Sequence, residues 1–207
     1  MFGVSGLCIQ RLQSAGLTRV RLASLYALWS VVWLAAHAAG GGITGALLAA
    51  AGSLLPLKSP LPQYVLAAIL VLGALHHLGW FRLPMPQWHR QVPRHWMGRW
   101  PLVGTAAGYG LQLGAGVTTR ITNFATYGAL AAAFLTGDPL RGAAIMGLFG
   151  FVRAIPAILT GCLAYTPQRT FALAFRVGEW EDRVHRASAL VLLFIAALLP
   201  LTAWRAQ

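Results

Sequence analysis

The sequence predicts an all-α fold, a polytopic helical membrane protein forming one integral membrane domain over residues 1–207. Three observations predict it. Hydrophobic residues make up 57% of the chain and charged residues only 10%, against about 25% charged in a soluble domain. The apolar residues are gathered into runs long enough for membrane spans, which need about 20 residues each. The basic residues sit in the gaps between those runs, as membrane proteins place them on the cytoplasmic side.

Five runs are readable in order. Leu22–Leu55 is the first, interrupted only by His37 and the Gly40-Gly41-Gly42 triplet. Tyr64–Leu78 follows, then Leu102–Leu135, interrupted at Thr118-Thr119-Arg120. The last two are Ala143–Leu163, carrying Arg153 and Pro156, and Ala187–Ala203. The two long runs read either as one tilted, broken helix each or as two short spans each, which gives five or seven spans. Charge favours five. With the N-terminus inside, the segments 1–21, 81–100 and 164–186 are cytoplasmic and hold most of the 16 Lys+Arg. Only Lys58, Arg141 and Arg205 then lie outside, whereas the seven-span arrangement moves the 81–100 loop out and nearly abolishes the bias. The expected location is the bacterial inner membrane.

The net charge of +12 does not point to nucleic acid, because the arginines form no stripe on a polar domain. Cys8 and Cys162 are far apart, which excludes a disulfide framework and a cysteine-based zinc site. Met1–Ala15 is interrupted by Arg11 and does not read as a cleavable signal, so the spans themselves are expected to direct insertion. Glycines at four-residue spacing, Gly41/Gly45, Gly104/Gly108 and Gly110/Gly114, suit close helix packing rather than a phosphate loop. The segment from Arg82 to Arg99 mixes Trp, Arg and Pro and reads as an interfacial loop. His76, His77, His89 and His95 could be considered as metal ligands, but adjacent helical histidines diverge by about 100°. No metal, cofactor or catalytic residue is expected.

The residues that bear on function are two arginines in apolar runs, Arg120 and Arg153. A charge at mid-membrane costs about 3 kcal/mol on insertion scales and is rarely without purpose; the alternative is snorkelling to an interface. With Thr118, Thr119, Thr122 and Asn123 beside Arg120, and Arg153 in support, the expected site is one for an anion or anionic substrate.

Gly110-Leu111-Gln112-Leu113-Gly114-Ala115-Gly116-Val117-Thr118-Thr119-Arg120, Gly137-Asp138-Pro139-Leu140-Arg141-Gly142-Ala143 and Phe149-Gly150-Phe151-Val152-Arg153-Ala154-Ile155-Pro156 resemble the second half of the CcdA/DsbD superfamily of transmembrane electron carriers. Leu25–Leu55 and Tyr64–Gly79 resemble that family's second and third helices. The family passes electrons between two intramembrane cysteines, but here Thr119, Arg120 and Asn123 replace its Pro, Cys and Pro. The resemblance therefore implies a cysteine-less accessory or scaffold in a membrane maturation system. The partners it implies are the lipid bilayer and a thioredoxin-like or cytochrome-maturation protein. A small anion transporter working around Arg120 is the alternative, and an enzyme is the least expected class because no nucleophile–base or carboxylate pair is visible.

Overall fold

A computed structural model describes residues 18–55, 60–81, 100–118, 121, 123–163, 169, 172, 175–176 and 178–205. Among them the chain is all helical: α1 Arg19–Gly52, α2 Leu61–His77, α3 Leu102–Gly114, α4 Ala125–Thr136, α5 Pro139–Leu163 and α6 Glu181–Arg205. Three of these, α1, α5 and α6, are long and apolar enough to cross a membrane, and α2 and α4 are shorter apolar helices. The third apolar run is thus two helices, while the first is a single one. The N-terminal segment with Cys8 and Arg11, the stretch from Arg82 to Arg99 with His89 and His95, and most of 164–177 lie outside the described residues.

Helix α1 runs unbroken through Gly40-Gly41-Gly42. Glycine is a poor helix former in water, but where no water competes every open backbone group costs several kcal/mol, which keeps the ladder closed. Ser30 and Thr44 return their hydroxyls to the carbonyls of Tyr26 (2.8 Å) and Gly40 (3.0 Å) on the same helix. In α5, Pro156 removes one ladder bond, and Thr160 donates to the Pro156 carbonyl at 2.7 Å one turn later. The α4–α5 corner follows from Gly137-Asp138-Pro139. Gly137 ends α4 in the left-handed region at φ 59°. Asp138 Oδ1 then accepts from the Leu140 and Arg141 amides, with Pro139 at the first helical position.

The helices pack as two groups. In the first, α1 lies between α3 and α5, burying Trp29, Trp33, Ala106, Tyr109, Ala154 and Ala157. In the second, α2 pairs with α6 and packs on α4, burying Ala67, Leu70, Ala74, Phe124, Ala189, Leu192 and Ala196. Helix α4 also touches α1 and α5 and so joins the groups. The α1–α5 contact is the most extensive, and glycine leaves backbone against backbone in it. A Cβ built on Gly45 would run into the Gly142 carbonyl, one on Gly41 into that of Met146, and one on Gly150 into that of His37. Small residues at such spacing admit close approach where no hydrophobic effect drives helices together.

These contacts order the elements along α1. Phe134 meets Gly52, Gly142 meets Gly45, Gly114 and Gly150 meet His37, and Tyr26 reaches Ile158. Helix α5 therefore runs antiparallel to α1. Helices α3 and α4 follow each other in the same direction along it, with the break between them.

Candidate polar centres within the bundle

Between α3 and α4 the described residues 115–118, 121, 123 and 124 are not helical, and a neighbouring helix holds the start of α4. The Thr118 hydroxyl donates to the Gln112 carbonyl at 2.6 Å, covering one of the acceptors that the end of α3 leaves open. At the start of α4, Asn123 Oδ1 accepts from the Ala125 amide at 2.9 Å, while the Phe124 amide donates to His77 Nε2 at 3.0 Å. Asn123 Nδ2 donates to the Ser188 hydroxyl on α6 at 3.0 Å. A helix start with no side-chain cap on its own N-cap residue, Phe124, is thus capped from α2.

The Phe124 contact fixes the tautomer. A nitrogen that accepts an N–H carries no proton, so in the uncharged ring the proton is on Nδ1. His77 Nε2 also approaches Asn123 Oδ1 at 3.1 Å, but in this tautomer it has no proton to donate there. His185 on α6 lies tilted against His77 with ring centroids 4.9 Å apart, and His76 stands edge-on to His77 at 5.8 Å. Among the described residues no three His, Cys, Asp or Glu side chains are grouped to hold a metal ion.

A second centre lies on α1. Tyr26, Trp29, Trp33 and His37 recur every three or four residues and so share one face. Tyr26, Trp29 and Trp33 stack in sequence, with centroids 5.6 and 5.0 Å apart, and His37 lies tilted against Trp33 at 4.4 Å. Trp33 Nε1 donates to the Ala154 carbonyl at 3.3 Å and the Tyr26 hydroxyl to that of Ile158 at 2.8 Å, tying this face to α5. His37 is fully buried, and its Nδ1 donates to the Trp33 carbonyl at 2.9 Å. Its Nε2 and Arg153 Nη1 are both buried without a hydrogen-bond partner among the described residues.

Of the residues expected to form an anion site, Thr119, Arg120 and Thr122 lie outside the described residues. Thr118 and Asn123 are at the break, each engaged with the protein's own groups. Arg153 is on α5, three residues beyond Gly150, the glycine that meets the His37 backbone. His37, His185 and Ser188 were not foreseen, and His77, considered only as a metal ligand, instead accepts from the Phe124 amide. The ring spacing from Tyr26 to His37 was the available signal for the first of them.

The comparisons with known proteins bear on which family this architecture serves. No family model and no solved structure matches the chain. Curated proteins do. The chain is 27% identical over 170 residues to the methylamine utilization protein MauF of Paracoccus versutus, covering 81% of this chain and 61% of that one. The MauF protein of Methylobacillus flagellatus is 27% identical over 163 residues, 78% of this chain and 56% of its own length. That of Paracoccus denitrificans is 32% identical over 133 residues, 60% and 48%. These relatives are all MauF proteins. The chain spans less than two thirds of their length.

They correct the resemblance drawn from glycine and proline spacing. The relatives belong to a family different from CcdA/DsbD, so the cysteine-less accessory role, and with it the link to cytochrome maturation, falls. The anion-transporter alternative has no support from them either. The physical reason is that Gly and Pro mark tight packing and helix corners in any membrane bundle, and so carry little family information.

Proposed function

We propose that the protein is a multi-pass membrane component of a methylamine-utilization system, acting in the step that the MauF proteins serve. The observation that carries this is the match to MauF relatives along 81% of the chain. Composition agrees, since three of its helices are long and apolar enough to span a bilayer.

Five crossings with a cytoplasmic N-terminus fit both the arginine distribution and the helix directions. Helices α3 and α4, running the same way along α1, together make one crossing. The inner membrane is the compartment this implies.

Deletion of the gene in its source organism tests the role. Growth on methylamine as sole carbon source should be lost and growth on succinate retained; equal growth on both would overturn the proposal. Single cysteines at Ser53 and Glu179, in a Cys8→Ser, Cys162→Ser background, test the topology. An impermeant thiol reagent added to intact cells should label Ser53→Cys and spare Glu179→Cys.

A further inference from the structure

Two buried polar atoms of opposite hydrogen-bonding sense lie on α1 and α5, one turn from the Gly150–His37 contact of those helices. His37 Nδ1 must carry its proton, because a carbonyl can only accept, and Trp33 supplies the carbonyl. In the uncharged ring Nε2 then offers a lone pair. Arg153 Nη1 offers N–H groups and brings a positive charge. Neither has a protein partner among the described residues. A buried polar group without a partner costs about 1–3 kcal/mol, and a charged one more.

The chain has no acid to neutralise this charge. Asp138 begins α5, fifteen residues from Arg153 and so about 22 Å along the helix, and is paired with Arg141 at 3.3 Å. Glu179, Glu181 and Asp182 lie at or just before the start of α6, which packs on α2 rather than on α1. Water would satisfy both atoms and leave the charge. A halide would satisfy Arg153 and leave His37 open.

We propose that His37 and Arg153 together hold a small oxyanion that retains one acidic proton, of the bicarbonate or dihydrogen phosphate class. Its charged oxygens accept from the Arg153 guanidinium, whose planar fork matches them. Its O–H donates to His37 Nε2. The tilted Trp33–His37 contact at 4.4 Å and the Trp33 Nε1 bond to Ala154 hold the imidazole in register with α5. The site lies on α1 and α5 and does not involve the α3–α4 break.

The test uses the purified full-length protein in detergent, with thermal unfolding followed at constant ionic strength. Sodium bicarbonate and sodium dihydrogen phosphate should each give a saturable rise in Tm, and sodium nitrate, which has no proton to donate, a smaller one. Arg153→Leu should abolish all three rises. Removing an unpaired buried charge does not itself destabilise, so this variant should fold. Arg153→Lys should keep a rise at weakened affinity. His37→Phe should weaken bicarbonate about 30-fold, the loss expected when one partner of a buried hydrogen bond to a charged ligand is removed, and bring it level with nitrate. No saturable rise in the wild-type protein, or an equal rise in Arg153→Leu, would overturn the proposal.

Discussion

Substituting Gly45 by alanine should loosen the molecule at its most extensive helix contact. The added Cβ would fall against the Gly142 carbonyl oxygen, 2.7 Å from the Gly142 carbonyl carbon and 2.7 Å from Met146 Cβ. Carbon atoms prefer a separation of about 3.5–4.0 Å, so α1 and α5 would have to part by roughly an ångström. The obstacle is backbone, which no rotamer change can clear. Forced overpacking of this kind costs about 1–3 kcal/mol, and one kcal/mol moves the midpoint of a chain this size by about 2–4 °C. Gly42, three residues earlier on the same helix, is the internal control. A Cβ there would meet only the Ala143 carbonyl oxygen at 3.7 Å, an ordinary contact. Thermal unfolding in detergent of Gly45→Ala and Gly42→Ala should therefore separate, the first falling by several degrees and the second holding or rising. Equal midpoints for the two would refute the backbone-contact account of the α1–α5 pair.

Replacing His77 by phenylalanine leaves the Phe124 amide without its acceptor and should cost about 1–3 kcal/mol, read as a lowered unfolding midpoint. Asn123→Ala removes the Ala125 cap and the Ser188 contact and should cost about 1–2 kcal/mol. The double variant should lose less than the sum, because both side chains serve one helix start. Tyr26→Phe should lose about 1 kcal/mol with the Ile158 hydrogen bond. Arg141→Ala should change stability by less than about 1 kcal/mol, since its pairing with Asp138 is at the surface. Asp138→Ala should cost more than Arg141→Ala, because it also uncaps α5.

Much of the helical layout was legible because apolar runs are themselves the signal. Leu22–Leu55, Ala143–Leu163 and Ala187–Ala203 correspond to α1, α5 and α6, and Gly137-Asp138-Pro139 marks its corner by turn chemistry alone. The interruption at Thr118-Thr119-Arg120 falls inside the α3–α4 break, where Gly114 and Gly116 meet a polar cluster. Gly40-Gly41-Gly42 gives a similar sequence signal without a break, because there the glycines face α3 and α5 and nothing polar competes for their backbone. Which of two glycine-rich stretches bends depends on partners distant in sequence. The same holds for His77 and His37. Each is a histidine in a largely apolar helix, and what it meets is set by distant residues: Phe124 and Asn123 for His77, and, beyond the bond to Trp33, the α5 backbone at Gly150 for His37.

The pairing of α1 with α5 sets an order on biogenesis. Gly45 is made 97 residues before Gly142, so at about 5–20 residues per second its partner surface emerges some 5–20 s later. On the multi-pass reading proposed above, α1 is in the membrane throughout that interval with a glycine groove along one side and the aromatic Trp29–Trp33 face beside it, its indole donor still unpaired. Lipid tails fill such a groove poorly, so the nascent helix is a substrate for whatever shields unpaired spans during insertion. A truncation ending before α5 should therefore be held by the insertion machinery or degraded, and only chains extended past Leu163 should be released as stable protein.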